Sequence, residues 1–137
     1  MKIIGIGVDI IDNNRIKKSI KNQDFIKRVY TAKEINTSKT VKNRVNFYAK
    51  RFAAKEAFVK ALGTGFRKNL NFKYIEILND NLGKPYYNMN NKIKKILTDI
   101  PQISVCEVSL ISVDPLCEFK CILTCHWALG RSPAIAK

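Results

Sequence analysis

Two carboxylates stand where carboxylates are costly. Asp9 interrupts the apolar run from Ile3 to Ile11, and a lone buried carboxylate costs several kcal/mol unless a cation or hydrogen-bond donors meet it. Glu56 sits inside Arg51-Phe52-Ala53-Ala54-Lys55-Glu56-Ala57-Phe58-Val59-Lys60-Ala61. Glu56 and Lys60 are four apart and share one face of a helix. The plainer explanations are a solvated ion pair worth a few tenths of a kcal/mol for Glu56, and a helix cap or a lysine partner for Asp9. Ala53, Ala54, Ala57 and Ala61 argue for enclosure, because such small side chains let another segment pack close. If Asp9 faces Glu56, each raises the other's pKa unless a cation lies between them. Magnesium suits that position: it takes oxygen ligands, often one or two carboxylates, with waters and substrate phosphates completing the shell. Lysines beside such an ion point to a phosphate-bearing substrate. The residues alone therefore predict a metal-assisted phosphate site.

Several elements must position these groups. Residues 2–11 form a near-continuous apolar run, which predicts a central strand carrying Asp9. Asp12-Asn13-Asn14 can cap a helix running to Ile20. Asp24 begins a second helical segment with Phe25, Ile26 and Val29. Thr31-Ala32-Lys33-Glu34 fits a capping box. Residues 43–62 have the clearest helical period, with Tyr48, Phe52, Ala53, Ala57, Phe58 and Ala61, and Gly63-Thr64-Gly65 ends the helix. Tyr74 to Leu78 alternates as a strand, the 79–85 segment has turn chemistry, and Pro85 opens the next strand. A short helix over 92–97 and strands near 103–113 and 117–125 follow. This order predicts an α+β fold with an antiparallel β-sheet packed against helices.

The chain has 137 residues, enough for one domain with its own core. Its 46% hydrophobic and 26% charged residues mark it as globular. The N-terminal apolar run is broken by Asp9 and is followed by no small-residue cleavage site, so it reads as a buried strand, and the expected compartment is the cytoplasm. No apolar stretch is long enough to span a bilayer. The net charge of +14, from 25 Lys+Arg against 11 Asp+Glu, favours an anionic partner. The abundance of Lys, Asn and Ile explains why the cations are lysines, but not why acids are scarce. Cys117, Cys121 and Cys125 recur every fourth residue before His126. On a strand they would spread over roughly 13 Å from first to second, at about 3.3 Å per residue. That is too far for one zinc ion, so they read as small buried hydrophobes. Residues 1–125 are expected to form the domain. The alanine-rich 126–137 segment reads as a flexible extension.

Further residues resemble a known family. Gly7-Val8-Asp9-Ile10 with Arg15-Ile16 is similar to the first signature of the holo-acyl-carrier-protein synthases, which are 4′-phosphopantetheinyl transferases. The run from Arg51 to Gly65 resembles the second signature nearly without change. Asn79-Asp80-Asn81-Leu82-Gly83-Lys84-Pro85 is similar to a third segment, and Val108-Ser109-Leu110 falls where the family has its penultimate strand. The resemblance covers roughly residues 2 to 125. It implies that Asp9 and Glu56 hold magnesium, that the ion bridges the diphosphate of coenzyme A, and that Lys60 contacts the phosphates. It implies that Arg51, Gly63, Thr64, Gly65, Gly83, Lys84 and Pro85 line the nucleotide site. It also implies that Arg15 and Arg28 help grip an acidic acyl carrier protein. The implied reaction transfers the phosphopantetheine arm to a carrier serine and releases adenosine 3′,5′-bisphosphate, in service of fatty acid biosynthesis. Positioning and charge neutralisation would supply most of the catalysis. The proton acceptor is open among Glu56, a metal-bound water and Asp9. A homotrimer with sites shared between subunits is implied as well.

The sequence departs from the family in two places. Ser112 stands where many members carry a His, and the single His126 lies in the tail. Asp24 sits near a position that is often basic, with Lys27 and Arg28 close by. Two other readings compete: a domain that kept the fold without the chemistry, favoured by Ser112, and a basic nucleic-acid module stacking bases on Phe47, Tyr48, Phe66, Tyr86 and Tyr87. The intact Asp9, Glu56 and Lys60 set favours the enzyme, acting on coenzyme A and a carrier protein and not on nucleic acid or a membrane.

Overall fold

The computed structural model describes residues 7–63, 70–89, 105–113 and 120–128, together with residues 91, 93 and 95. Three short helices come first, each started by a side chain that accepts from an otherwise unpaired backbone N–H. Asp12 caps α1 (Asn13–Ser19), Asn22 caps α2 (Gln23–Val29), and Thr31 caps α3 (Ala32–Thr37) through the full capping box with Glu34. Helix α4 (Arg44–Leu62) is capped by Asn43 and ends at Gly63, whose φ of 66° supplies the left-handed turn that glycine adopts at least cost. A 3₁₀ turn at Phe72–Tyr74 leads into β1 (Ile75–Asn79) and β2 (Pro85–Met89), an antiparallel hairpin with Ile75 opposite Met89. Strands β3 (Val105–Val113) and β4 (Lys120–Ala128) form a second hairpin with Val105 opposite Ala128. The fold is α+β with antiparallel strands. Helix α4 packs on β4 and β1, and β2 lies beside β3.

Helix α4 is buried on nearly every side, so a one-face apolar stripe would not serve it. Phe58, Val59, Ala54 and Ala57 pack with Leu70, Ile75, Ile77 and Tyr87 under the first hairpin. Phe47, Tyr48, Ala49 and Ala53 pack with Ile16, Ile26, Val29 and Tyr30 from α1 and α2. Tyr30 and Tyr48 are fully buried, and their hydroxyls are paired with the Tyr48 carbonyl and Ser38 Oγ respectively. Burial, with Glu34 close by, pushes the Tyr30 phenol far above its ordinary value. Three of the aromatics considered as stacking platforms, Phe47, Tyr48 and Tyr87, are thus core residues, which removes them from any nucleic-acid surface. Tyr86 is exposed, and Phe66 lies outside the described residues.

Two expectations are revised. The predicted strand over 2–11 pairs with nothing in its described part: residues 7–11 carry no ladder, because Gly7 lies directly on the backbone of α4 at Ala57 and Ala61. Residues 2–6 lie outside the described residues. At the other end, β4 runs on to Ala128, with His126 opposite Glu107 and Trp127 opposite Cys106. Composition could not show that the alanine-rich stretch begins within a paired strand. Residues 129–137 lie outside the described residues, as do Cys117 and much of the expected 92–97 helix. Among the described residues no helix is long and apolar enough to cross a membrane.

Candidate active site

The close approach of Gly7 to α4 brings Asp9 to the site. A Cβ on residue 7 would strike Ala57 O and stand 2.6 Å from Ala61 N. Only a glycine there, over alanines on the helix, lets the segment lie flat enough to deliver Asp9 to the face that carries Glu56 and Lys60. Gly7→Ala should therefore shift Asp9 as well as strain the core. We expect stability to fall by about 1–3 kcal/mol and kcat to fall by about 10-fold or more, since small misplacements are costly in catalysis. Thermal unfolding and steady-state kinetics check the two effects.

Lys60 Nζ donates to Asp9 Oδ1 at 2.6 Å and to the Val8 carbonyl at 3.2 Å. Asp9 is 13% exposed and Lys60 52% exposed. Glu56 is half-buried on the same helix face. Its carboxyl is raised above the usual range by burial first and by Asp9 second, with Lys60 pulling it back. Glu56 is therefore a partly desolvated carboxylate that feels Asp9. Beside it opens a cavity of about 550 Å³, walled by Phe25, Val29, Phe52, Leu70 and Phe72, with Arg28, Glu56 and Asn71 as its polar lining. Phe52 stacks on Phe72 and Phe25 along that wall.

Asp9, with an ammonium already on it, and Glu56, close enough to feel the Asp9 charge, fit a hard cation. The lysine occupies a position at which a positive charge is favoured, and the donors are all oxygens, as magnesium requires. Among the described residues no three His, Cys, Asp or Glu side chains gather. Asp9 and Glu56 would thus be two carboxylate ligands from the described residues, which leaves room for water and phosphate oxygens.

A smaller cavity of about 140 Å³ lies between α4 and the first hairpin, lined by Lys50, Arg51, Ala54, Ile77, Asn79, Gly83 and Pro85. Arg51 is 7% exposed. Its guanidinium stands 3.5 Å over the Phe47 ring and donates to Asn79 Oδ1 at 2.9 Å, and burial pulls its pKa down to about 10. Its Nε has no hydrogen-bond partner among the described residues. The turn that supplies Gly83 and Pro85 is shaped by Asp80, whose carboxylate accepts from the N–H groups of Leu82 and Lys84, and by a φ of 83° at Gly83.

The family model described as the 4′-phosphopantetheinyl transferase superfamily matches residues 5–107. The chain belongs to that superfamily. The holo-[acyl-carrier-protein] synthase of Pelagibacter ubique (strain HTCC1062) is 62% identical over 97 residues, which are 71% of this chain and 76% of the relative. The crystal structure of the holo-[acyl-carrier-protein] synthase of Neisseria meningitidis is 35% identical and superposes with a TM-score of 0.82, covering 93% of this chain and all 100% of that one. The Bacillus anthracis synthase, solved in complex with CoA (3′,5′-ADP), is 33% identical with a TM-score of 0.67, covering 92% and 98%.

In this phosphopantetheinyl transferase the residues singled out by sequence fall into three places. Asp9, Glu56 and Lys60 come together. Arg51, Gly83 and Pro85 share the smaller cavity, while Lys84 is exposed beside it with its N–H on Asp80. Arg28 is exposed and lines the larger cavity with Glu56, and Arg15 is exposed on α1. Gly63 caps α4, with open space around its Cα. Thr64 and Gly65 lie outside the described residues.

The sequence reading missed the ion pair that joins α4 to the elements packed around it. Lys55 and Glu34 are both fully buried and paired at 2.7 Å. Lys55 Nζ also donates to the carbonyls of Val29 and Phe72, so all three of its donors are used. Glu34 also accepts from the N–H groups of Thr31 and Ile77. This one pair ties the end of α2, the start of α3, α4, the 3₁₀ turn and β1. Burial lowers the Lys55 pKa and Glu34 opposes the shift. The signal was a lysine between alanines on the most apolar helix, next to the residue proposed to do chemistry.

Proposed function

We propose that this chain transfers the 4′-phosphopantetheine arm of coenzyme A to a serine of an apo-acyl carrier protein, with magnesium, releasing adenosine 3′,5′-bisphosphate for fatty acid biosynthesis. The observation that carries the reading is the meeting of Asp9, Glu56 and Lys60 beside a cavity that Glu56 helps to line. The solved Bacillus anthracis relative with CoA (3′,5′-ADP) supports the choice of donor.

Asp9 and Glu56 would hold magnesium, which when bound neutralises charge on the diphosphate and orients it. The chain's own part is positional and electrostatic. Lys60, on a half-exposed flexible stem, can reach a phosphate oxygen. Arg51 and the Gly83–Pro85 backbone offer donors and a small cavity for the nucleotide end. Arg28 at the mouth of the larger cavity, with Arg15 on the neighbouring helix, offers cations to an acidic carrier. Complementary charge of this kind mainly raises the association rate. A general base must take the serine proton, and Glu56 is the carboxylate in the lining of the larger cavity.

The same reading puts the reaction in the cytoplasm, where coenzyme A and carrier must meet, and expects a homotrimer. Exposed Val8 and Ile10 flank Asp9, and exposed Leu82 and Tyr86 flank the Gly83–Pro85 segment. A neighbouring copy would cover such apolar side chains at the edge of the site. Sedimentation equilibrium at three times the chain mass is the expected result.

The test of activity is mass spectrometry of an apo-carrier incubated with coenzyme A, magnesium and the protein. Addition of one phosphopantetheine to the carrier serine is expected, and its absence with a competent carrier would overturn the reading. Arg51→Met should raise KM for coenzyme A about 10-fold, the loss of roughly one charge-assisted hydrogen bond, with a smaller change in kcat by steady-state kinetics.

A further inference from the structure

Lys60 occupies one oxygen of Asp9, a carboxylate assigned above to the cation. Its Nζ sits 2.6 Å from Asp9 Oδ1 and 3.2 Å from the Val8 carbonyl. The two bonds fold the lysine back across the start of the site, although its side chain is half exposed and free to extend. A divalent ion on Asp9 Oδ1 would displace the ammonium from that oxygen, and an ion on Oδ2 would still meet it across the same carboxylate, where the two positive charges repel. Repulsion from the ion therefore favours the departure of Lys60, and a lysine that leaves one anion is best satisfied by another. The diphosphate of the donor supplies it.

We propose that Lys60 is a positioning residue that holds the cation site closed until a diphosphate draws it away, so that metal and donor bind cooperatively. This rests on the assignment of Asp9 and Glu56 as the metal carboxylates. By linkage, whatever the diphosphate gains by capturing Lys60 appears as tighter metal binding, and the reverse holds equally. The lysine then has two successive partners in one cycle: Asp9 in the free protein and a phosphate oxygen in the loaded one. Glu56, which Lys60 stabilises in its charged form, changes its surroundings in the same step.

The test is a Mn²⁺ titration followed by electron paramagnetic resonance, with and without coenzyme A, on the wild type, Lys60→Met and Asp9→Asn. For the free wild type we expect weak Mn²⁺ binding that coenzyme A tightens. Lys60→Met should bind Mn²⁺ alone about 10-fold tighter than wild type, within the usual range for couplings between ligands. Coenzyme A should then tighten it by a correspondingly smaller factor. A merely through-space effect of removing one charge would tighten Mn²⁺ but leave the coenzyme A factor as it was, and that result overturns the proposal. So does a Lys60→Met affinity equal to or weaker than wild type. If Asp9→Asn keeps the wild-type affinity, the assignment of the metal site fails with it. If Asp9→Asn loses the ion while Lys60→Met gains nothing, the Lys60 proposal fails alone.

Discussion

Glu56→Gln will lower kcat for phosphopantetheine transfer by about 100- to 1,000-fold while leaving the thermal midpoint nearly unchanged. The substitution keeps the shape and removes the charge. Glu56 is only half-buried, and no side-chain hydrogen bond to the described residues ties it into the core, so the fold has little to lose. The site loses one of the two carboxylates that would hold magnesium. Removal of a single preorganised charge-stabilising group in an active site has effects of that size. Because burial and Asp9 already raise the Glu56 carboxyl, protons compete with a cation there at higher pH than at an ordinary glutamate. Apparent metal affinity should accordingly weaken on acidification before the usual carboxylate range is reached. Kinetics at saturating and limiting magnesium, across pH, check both statements. If Glu56→Gln melted early instead, the residue would be structural.

Lys55→Met, at the adjacent position, will do the reverse. We expect it to cost about 3–5 kcal/mol, the range for leaving one member of a buried ion pair without its partner. The thermal midpoint of a domain of this size should fall by roughly 10–20 °C. The variant strands Glu34, which is fully buried, and frees the carbonyls of Val29 and Phe72. Whatever fraction stays folded should retain kcat per folded molecule, since Lys55 faces the core and not the cavity. Denaturant unfolding with activity normalised to folded protein separates the two. Two neighbouring charged residues thus have opposite signatures, which follows from the helix turning about 100° per residue.

Asp9, Glu56 and Lys60 were legible in the sequence because each is a charge in apolar surroundings, and burial of a charge demands an explanation. The alanines of α4 were legible as a surface for close approach, though what approached was not: Gly7, rather than a strand face, makes the contact. Asp12, Thr31, Glu34 and Gly63 announced helix ends through capping chemistry, which is local. The larger role of Glu34 was hidden, because its partners Lys55 and Ile77 are distant in sequence and nothing local records them. The N-terminal run was read as a strand from its apolar character, which does not tell a sheet partner from a helix backbone. The boundary at residue 126 failed for a related reason: a change in composition is not a change in hydrogen bonding. Arg51 was placed near the nucleotide by resemblance alone, and the cavity it shares with Gly83 and Pro85 is visible only in three dimensions.

The central claim is that Asp9 and Glu56, far apart in the chain, act together on one divalent ion. It is tested most directly by calorimetric titration of magnesium into the coenzyme A-loaded protein, comparing the wild type with Asp9→Asn and Glu56→Gln. One site is expected in the wild type, and its loss in each variant alone. Wild-type affinity in either variant would contradict it.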